Sequence, residues 1–100
     1  MDRRDIFDHI DTERERQVAK HGDQAISSPL IDDGTRLIIL GEEFGEVCRA
    51  MTYDNGSREN LIEELLQTAA VCIGWLESIE PPTVVSLTFD FGAAERAPEA

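Results

Sequence analysis

The chain has 100 residues, with 21 Asp plus Glu against 9 Lys plus Arg and a formal net charge of −12. That length makes one domain with a modest core, which oligomerisation would support. The charge argues against a direct nucleic-acid grip or an anionic membrane surface, because binding phosphate arrays rests on Lys and Arg. A small phosphorylated ligand is compatible if divalent cations and a few arginines stand between the charges, and the basic residues are eight Arg and one Lys, Lys20. There is no apolar run of roughly 18 residues and no hydrophobic signal core, so a cytoplasmic protein is expected. Cys48 and Cys72 fall in apolar helical patterns without CxxC spacing and read as reduced core thiols.

A first helix is predicted over about residues 5–20, with Ile6, Ile10, Gln17 and His21 along one line and Phe7, Arg14 and Val18 beside it. The C-terminal half of this face is polar, so the helix is either solvated or one wall of a polar site. Gly22 ends it. Residues 23–33 hold Ser27, Ser28, Pro29, Asp32, Asp33 and Gly34, turn and cap residues of a loop that can lie over the site.

Asp32 or Asp33 caps a second helix reaching about Thr52. Its Leu37, Leu40, Phe44, Val47 and Met51 alternate spacings of three and four, the pattern of a bundle seam. Glu43 and Glu46 sit at the margin of that seam, and Glu42 points further toward solvent. Asn55 and Gly56 mark a turn, and Ser57 caps a third helix over about residues 58–80. Leu61, Leu65, Cys72, Leu76 and Ile79 form its main stripe, and residues 68–76 carry no charge, so burial nearly all round is expected, against the other helices and another subunit.

Pro81 and Pro82 stop this helix. Residues 83–91 alternate as a strand does, with Val85, Leu87, Phe89 and Phe91 on one face. No second strand pattern exists, so this one is expected to pair with another copy or dock on its helices. Residues 92–100 read as a mobile tail. The expected architecture is all-α: a three-helix domain over residues 1–80, completed by oligomerisation to a dimer or tetramer, with a short C-terminal β-strand and tail over residues 81–100.

Glutamates three residues apart beside an apolar stripe recur on the second and third helices. On packed helices Glu43, Glu46, Glu64 and Gln67 can converge on one point and offer oxygens to Mg²⁺ or Mn²⁺. The same spacing also describes a solvated helical face. Arg14, Arg16 and Lys20 are candidates for phosphate contacts, with surface solvation as the alternative. Trp75 reads as core or interface ahead of a base-stacking platform, and His21 as a cap or loop residue ahead of a catalytic base.

Glu42-Glu-Phe-Gly-Glu46 followed by Glu63-Glu-Leu-Leu-Gln67 resembles the paired E-E-x-x-E and E-E-x-x-D motifs of the MazG-like, all-α nucleoside triphosphate pyrophosphohydrolases. Glu13-Arg-Glu-Arg-Gln17 and Lys20-His-Gly-Asp-Gln24 are similar to a run in small phage and bacterial MazG-like proteins, and the matches together span roughly residues 10–80. The resemblance implies nucleotide-pool housecleaning: Mg²⁺-dependent hydrolysis of a nucleoside triphosphate to monophosphate and pyrophosphate by a metal-bound water. It makes Glu43, Glu46 and Glu64 catalytic metal ligands. The fourth family ligand is an aspartate where this chain has Gln67, whose amide oxygen can coordinate but brings no charge. A nucleotide-binding module of the same fold that does not cleave its ligand is therefore the alternative.

Overall fold

The computed structural model describes residues 1–52 and 56–80, and every regular element among them is helical. The elements are α1 (Arg3–His21), a short 3₁₀ turn (Gly22–Gln24), α2 (Asp33–Thr52) and α3 (Arg58–Glu77). The strand and tail expected over residues 81–100, and most of the turn at residues 53–55, lie outside the described residues.

Local chemistry sets the helix ends. The Asp2 carboxylate accepts the Asp5 amide at 2.9 Å, capping α1 two residues earlier than the periodicity indicated. Gly22 ends α1 at φ 53°, a left-handed conformation that suits glycine, with its amide returned to the Val18 carbonyl. Asp32 caps α2 through the Thr35 amide at 2.8 Å, and Ser57 caps α3 through the Asn60 amide at 3.3 Å. Helix α3 stops at Glu77 rather than near residue 80, because Ser78 and Ile79 donate to Trp75 and Leu76 in i→i+3 bonds that tighten the last turn.

Helix α3 is the centre, and α1 and α2 both pack on it but not on each other. The α2–α3 pair is antiparallel: the Trp75 indole N–H near the end of α3 donates to Asp33 Oδ1 at the start of α2, at 2.9 Å. Trp75 is therefore a half-buried structural tie, away from the polar cleft described below.

Two buried arginines hold the segment between α1 and α2. Arg36 donates to the Ile26 carbonyl at 2.7 Å, the Ser28 carbonyl at 2.7 Å and Asp33 at 2.9 Å. Arg14 donates to Glu77 at 2.9 Å, Gln17 at 3.1 Å and the Ser27 hydroxyl at 3.0 Å. Together they supply donors to a stretch whose Ala25, Ile26 and Ser28 are buried, where unmet backbone carbonyls are costly.

The apolar seams are placed differently from the reading of periodicity. Leu40 and Val47 turn inward on α2, but Leu37, Phe44 and Met51 face outward. On α3, Leu61 is half-buried, whereas Leu65, Cys72, Leu76 and Ile79 are exposed, and Ala70, Val71 and Gly74 occupy the contact with the other helices. The cause is the small residues of α3, which let α1 approach along them and leave the bulky stripe turned away. Cys48 and Cys72 are free, as expected, but exposed rather than in the core.

Candidate functional site

Because α1 and α2 pack on α3 without meeting, a cleft of about 580 Å³ opens between them. One wall is the end of α1, with Arg16, Gln17, Lys20 and His21; the other is α2, with Ile39, Glu42 and Glu43. Glu63, Gln67 and Val71 of α3 form its floor, and Gln24 and Ile26 close one end. Cationic donors thus face carboxylates across a space large enough for a small ligand.

Glu43 is half-buried, and its Oε2 is buried and accepts no hydrogen bond among the described residues. Burial raises its pKa above the ordinary glutamate range, and the charges of Glu46, Glu13 and Glu42 push the same way, with Arg16 a partial offset. Glu13 lies on the opposite side of this balance. Its carboxylate takes two bonds from Arg16, at 2.8 and 2.6 Å, and that pairing holds its pKa down against partial burial, with help from Gln17 and Lys20. Arg16 has its own pKa raised by that bond and by the fields of Glu43 and Glu63, which places it among the acidic groups of the cleft.

Of the residues expected at the site, Arg16, Lys20, Glu43 and Gln67 line the cleft, while Glu46 and Glu64 do not. Glu46 is exposed one turn beyond Glu43. Glu64 is half-buried with a buried Oε2, and the second glutamate pair presents Glu63 to the cleft instead, one residue and about 100° round the helix. Arg14 is not at the cleft. Its guanidinium is buried and committed to Glu77, Gln17 and Ser27, contacts that hold the fold together. Gln67 donates its amide to Glu63 at 3.3 Å, which leaves Oε1 as its acceptor.

Gln24, Glu42 and Glu63 are not among the site candidates that the sequence offers, and His21, read there as a cap or loop residue ahead of a catalytic base, also lines the cleft. The available signal was that each leads or follows a chosen residue in its motif, as Glu42 precedes Glu43 and Glu63 precedes Glu64.

The donor chemistry suits a hard divalent cation: a carboxylate oxygen without a hydrogen-bond donor, held among like charges, is relieved by one. Among the described residues, no three of His, Cys, Asp and Glu are grouped closely enough to hold a metal ion by themselves. That geometry remains compatible with Mg²⁺, which keeps several waters and is often bound by one or two carboxylates together with substrate phosphates.

No helix among the described residues is long and apolar enough to cross a membrane. Comparison with known proteins finds no matching family model, no matching characterised protein and no matching solved structure.

Proposed function

We propose that this chain is a Mg²⁺- or Mn²⁺-dependent nucleoside triphosphate pyrophosphohydrolase of the MazG-like kind, releasing a monophosphate and pyrophosphate. The observation that carries this reading is Glu43: a cleft carboxylate with a raised pKa and a buried oxygen that accepts no hydrogen bond, opposite Arg16 and Lys20. A cation and a phosphate chain would relieve both walls at once.

Glu43 and the Gln67 oxygen, which line the cleft, are the groups that would hold the ion there, with Glu46 and Glu64 beside the cleft as the further ligands that the motif resemblance implies. When bound, it would neutralise charge on the phosphates and make water a better nucleophile. Arg16 and Lys20 would offset the charge that the ion leaves over, Lys20 as a point charge and Arg16 by exchanging its fork from Glu13 to phosphate oxygens. Hydrolysis adds the water oxygen to the α-phosphorus and breaks its bond to the bridging oxygen, so pyrophosphate leaves. Nucleotide-pool housecleaning in the cytoplasm, by a homo-oligomer, is the setting that the resemblance to MazG-like proteins supports.

Pyrophosphate release should be measured over a panel of nucleotides with Mg²⁺ and again without it. Release from at least one of them, lost in Glu43→Ala and Glu46→Ala variants that remain folded, is the expected result. Folded wild-type protein that releases nothing at high Mg²⁺ would overturn the catalytic reading.

A second reading is favoured by one observation. Among the described residues the carboxylates do not gather in threes, and Gln67 brings no charge where the MazG-like motif has an aspartate. A module that captures a nucleotide in the same cleft without cleaving it has no need of a closed chelate. Calorimetric binding with the nucleotide recovered unchanged is its signature.

A further inference from the structure

Each of the three helices brings a glutamate whose charge acts on Arg16: Glu13 of α1, Glu43 of α2 and Glu63 of α3. The guanidinium is committed to the first of them. Its Nε donates to Glu13 Oε2 at 2.8 Å and its Nη2 to Oε1 at 2.6 Å, a two-point fork between neighbours on one helical face. Among the described residues Arg16 makes no ion pair with Glu43 or Glu63, although their fields reach it.

Glu13 is the fixed partner of this pair. Its side chain is 14% exposed, against 51% for Arg16. The Gln17 amide donates to Glu13 Oε1 at 3.3 Å and to the Gln67 carbonyl at 3.5 Å. That amide cannot turn over, because its own oxygen accepts from Arg14 Nη1 at 3.1 Å and a guanidinium only donates. A line of hydrogen bonds therefore runs from the buried Arg14 through Gln17 to Glu13 and ends on the exposed Arg16. Glu43 offers what a loose guanidinium would take: a buried Oε2 that accepts no hydrogen bond among the described residues, set among like charges. Released from Glu13, Arg16 would settle on the same oxygen that suits a divalent cation.

We propose that Glu13 is a positioning residue of the cleft: its fork with Arg16 keeps the guanidinium off Glu43, and so leaves that carboxylate open to a divalent cation until a phosphate chain draws Arg16 away. The inference rests on the reading of Glu43 as a cation ligand, and adds to it a residue outside the paired glutamate motifs. Without the fork, Arg16 and the cation compete for one oxygen. With it, the cleft keeps a cationic wall and an anionic wall that do not cancel each other. The charge of Glu13 is not what matters, since the Arg16 beside it neutralises it; what matters is where the guanidinium is held.

The experiment titrates the full chain with Mn²⁺, read by the electron paramagnetic resonance of the free ion, and follows contacts of the Arg16 side chain by nuclear Overhauser effects in the metal-free protein. Glu13→Gln should weaken Mn²⁺ binding about tenfold and bring the Arg16 δ protons into contact with the Glu43 γ protons, a contact absent from wild type. Arg16→Lys, which keeps the charge and loses the fork, should weaken binding severalfold. Arg16→Ala should tighten it about tenfold in the Glu13→Gln background and less than about threefold in wild type. Equal effects in both backgrounds, an Arg16→Lys variant that binds as wild type does, or an Arg16–Glu43 contact already present in wild type overturns the proposal and leaves the cation reading of the cleft standing. A wild-type chain that takes up no Mn²⁺ overturns that reading instead, and the metal-free contact then decides: present only in Glu13→Gln, it supports Glu13 as the holder of Arg16; absent there, it overturns it.

Discussion

The Arg14 guanidinium lies directly on Gly74: a Cβ on that glycine would stand 2.9 Å from Arg14 Cζ and collide with Ile26 Cγ2. Helix α1 can cross α3 at this point only because residue 74 has no side chain. The contact also fixes Arg14 where it reaches Glu77 and Ser27, and thereby seats the segment that closes the cleft.

Gly74→Ala tests that relationship. Alanine gains about 1 kcal/mol of helix propensity over glycine, while overpacking costs about 1 to 3 kcal/mol. The Ile26 methyl is buried and the Arg14 side chain is held by three partners, so neither yields cheaply and the clash should dominate. Thermal unfolding should show a Tm lower by about 5 °C or more.

Arg36→Ala should be among the most damaging single changes. It strips donors from the Ile26 and Ser28 carbonyls, both in a buried stretch, and leaves Asp33 with Trp75 alone among the described residues. Loss of a multiply bonded buried cation costs about 3 kcal/mol. Arg36→Lys should recover less than half, because an ammonium cannot reproduce the fork. Urea unfolding followed by Trp75 fluorescence reads both.

Glu43 sets a pH dependence whose sign follows from its raised pKa. The folded chain holds this proton more tightly than the unfolded chain, so its contribution is fully present below the ordinary glutamate pKa and is lost as pH rises through the raised value. Glu13, with its lowered pKa, acts in the opposite sense and contributes stability that is lost as pH falls. Comparison with Glu43→Gln isolates the first effect: at neutral pH the variant should melt a few degrees above wild type, and the gap should close in acid. Added Mg²⁺ should raise the wild-type Tm and leave the variant nearly unmoved. A gap that is independent of pH would show that this carboxylate is not strained by its neighbours.

Lys20→Ala separates ligand recognition from folding. Lys20 is exposed on the cleft wall and makes no ion pair among the described residues, so its removal should leave Tm within about 1 °C of wild type. Nucleotide affinity, measured by calorimetry with Mg²⁺, should fall about tenfold, as expected for loss of one charge-assisted phosphate contact. Arg14→Ala should do the reverse, lowering Tm through its lost buried contacts with less effect on affinity.

Sequence alone determined the helical elements, because their signals are local. Caps at Asp32 and Ser57, a stop at Gly22 and apolar residues at helical spacing act within a turn of the backbone they control. It also narrowed the chemistry, since its motifs point to Glu43, Gln67, Arg16 and Lys20, and these four line one cleft. Only the tertiary structure decided which flank of each helix faces in. By spacing alone the more apolar flank, with Leu37, Phe44 and Leu76, would be the one to face in, and the choice of the other rests on Gly74 and the small residues beside it, which let α1 cross α3 there. That crossing committed Arg14 to the fold, turned Glu63 rather than Glu64 into the cleft, and left Phe44 and Leu76 outside, because steric fit between distant segments is not written in the spacing of either one.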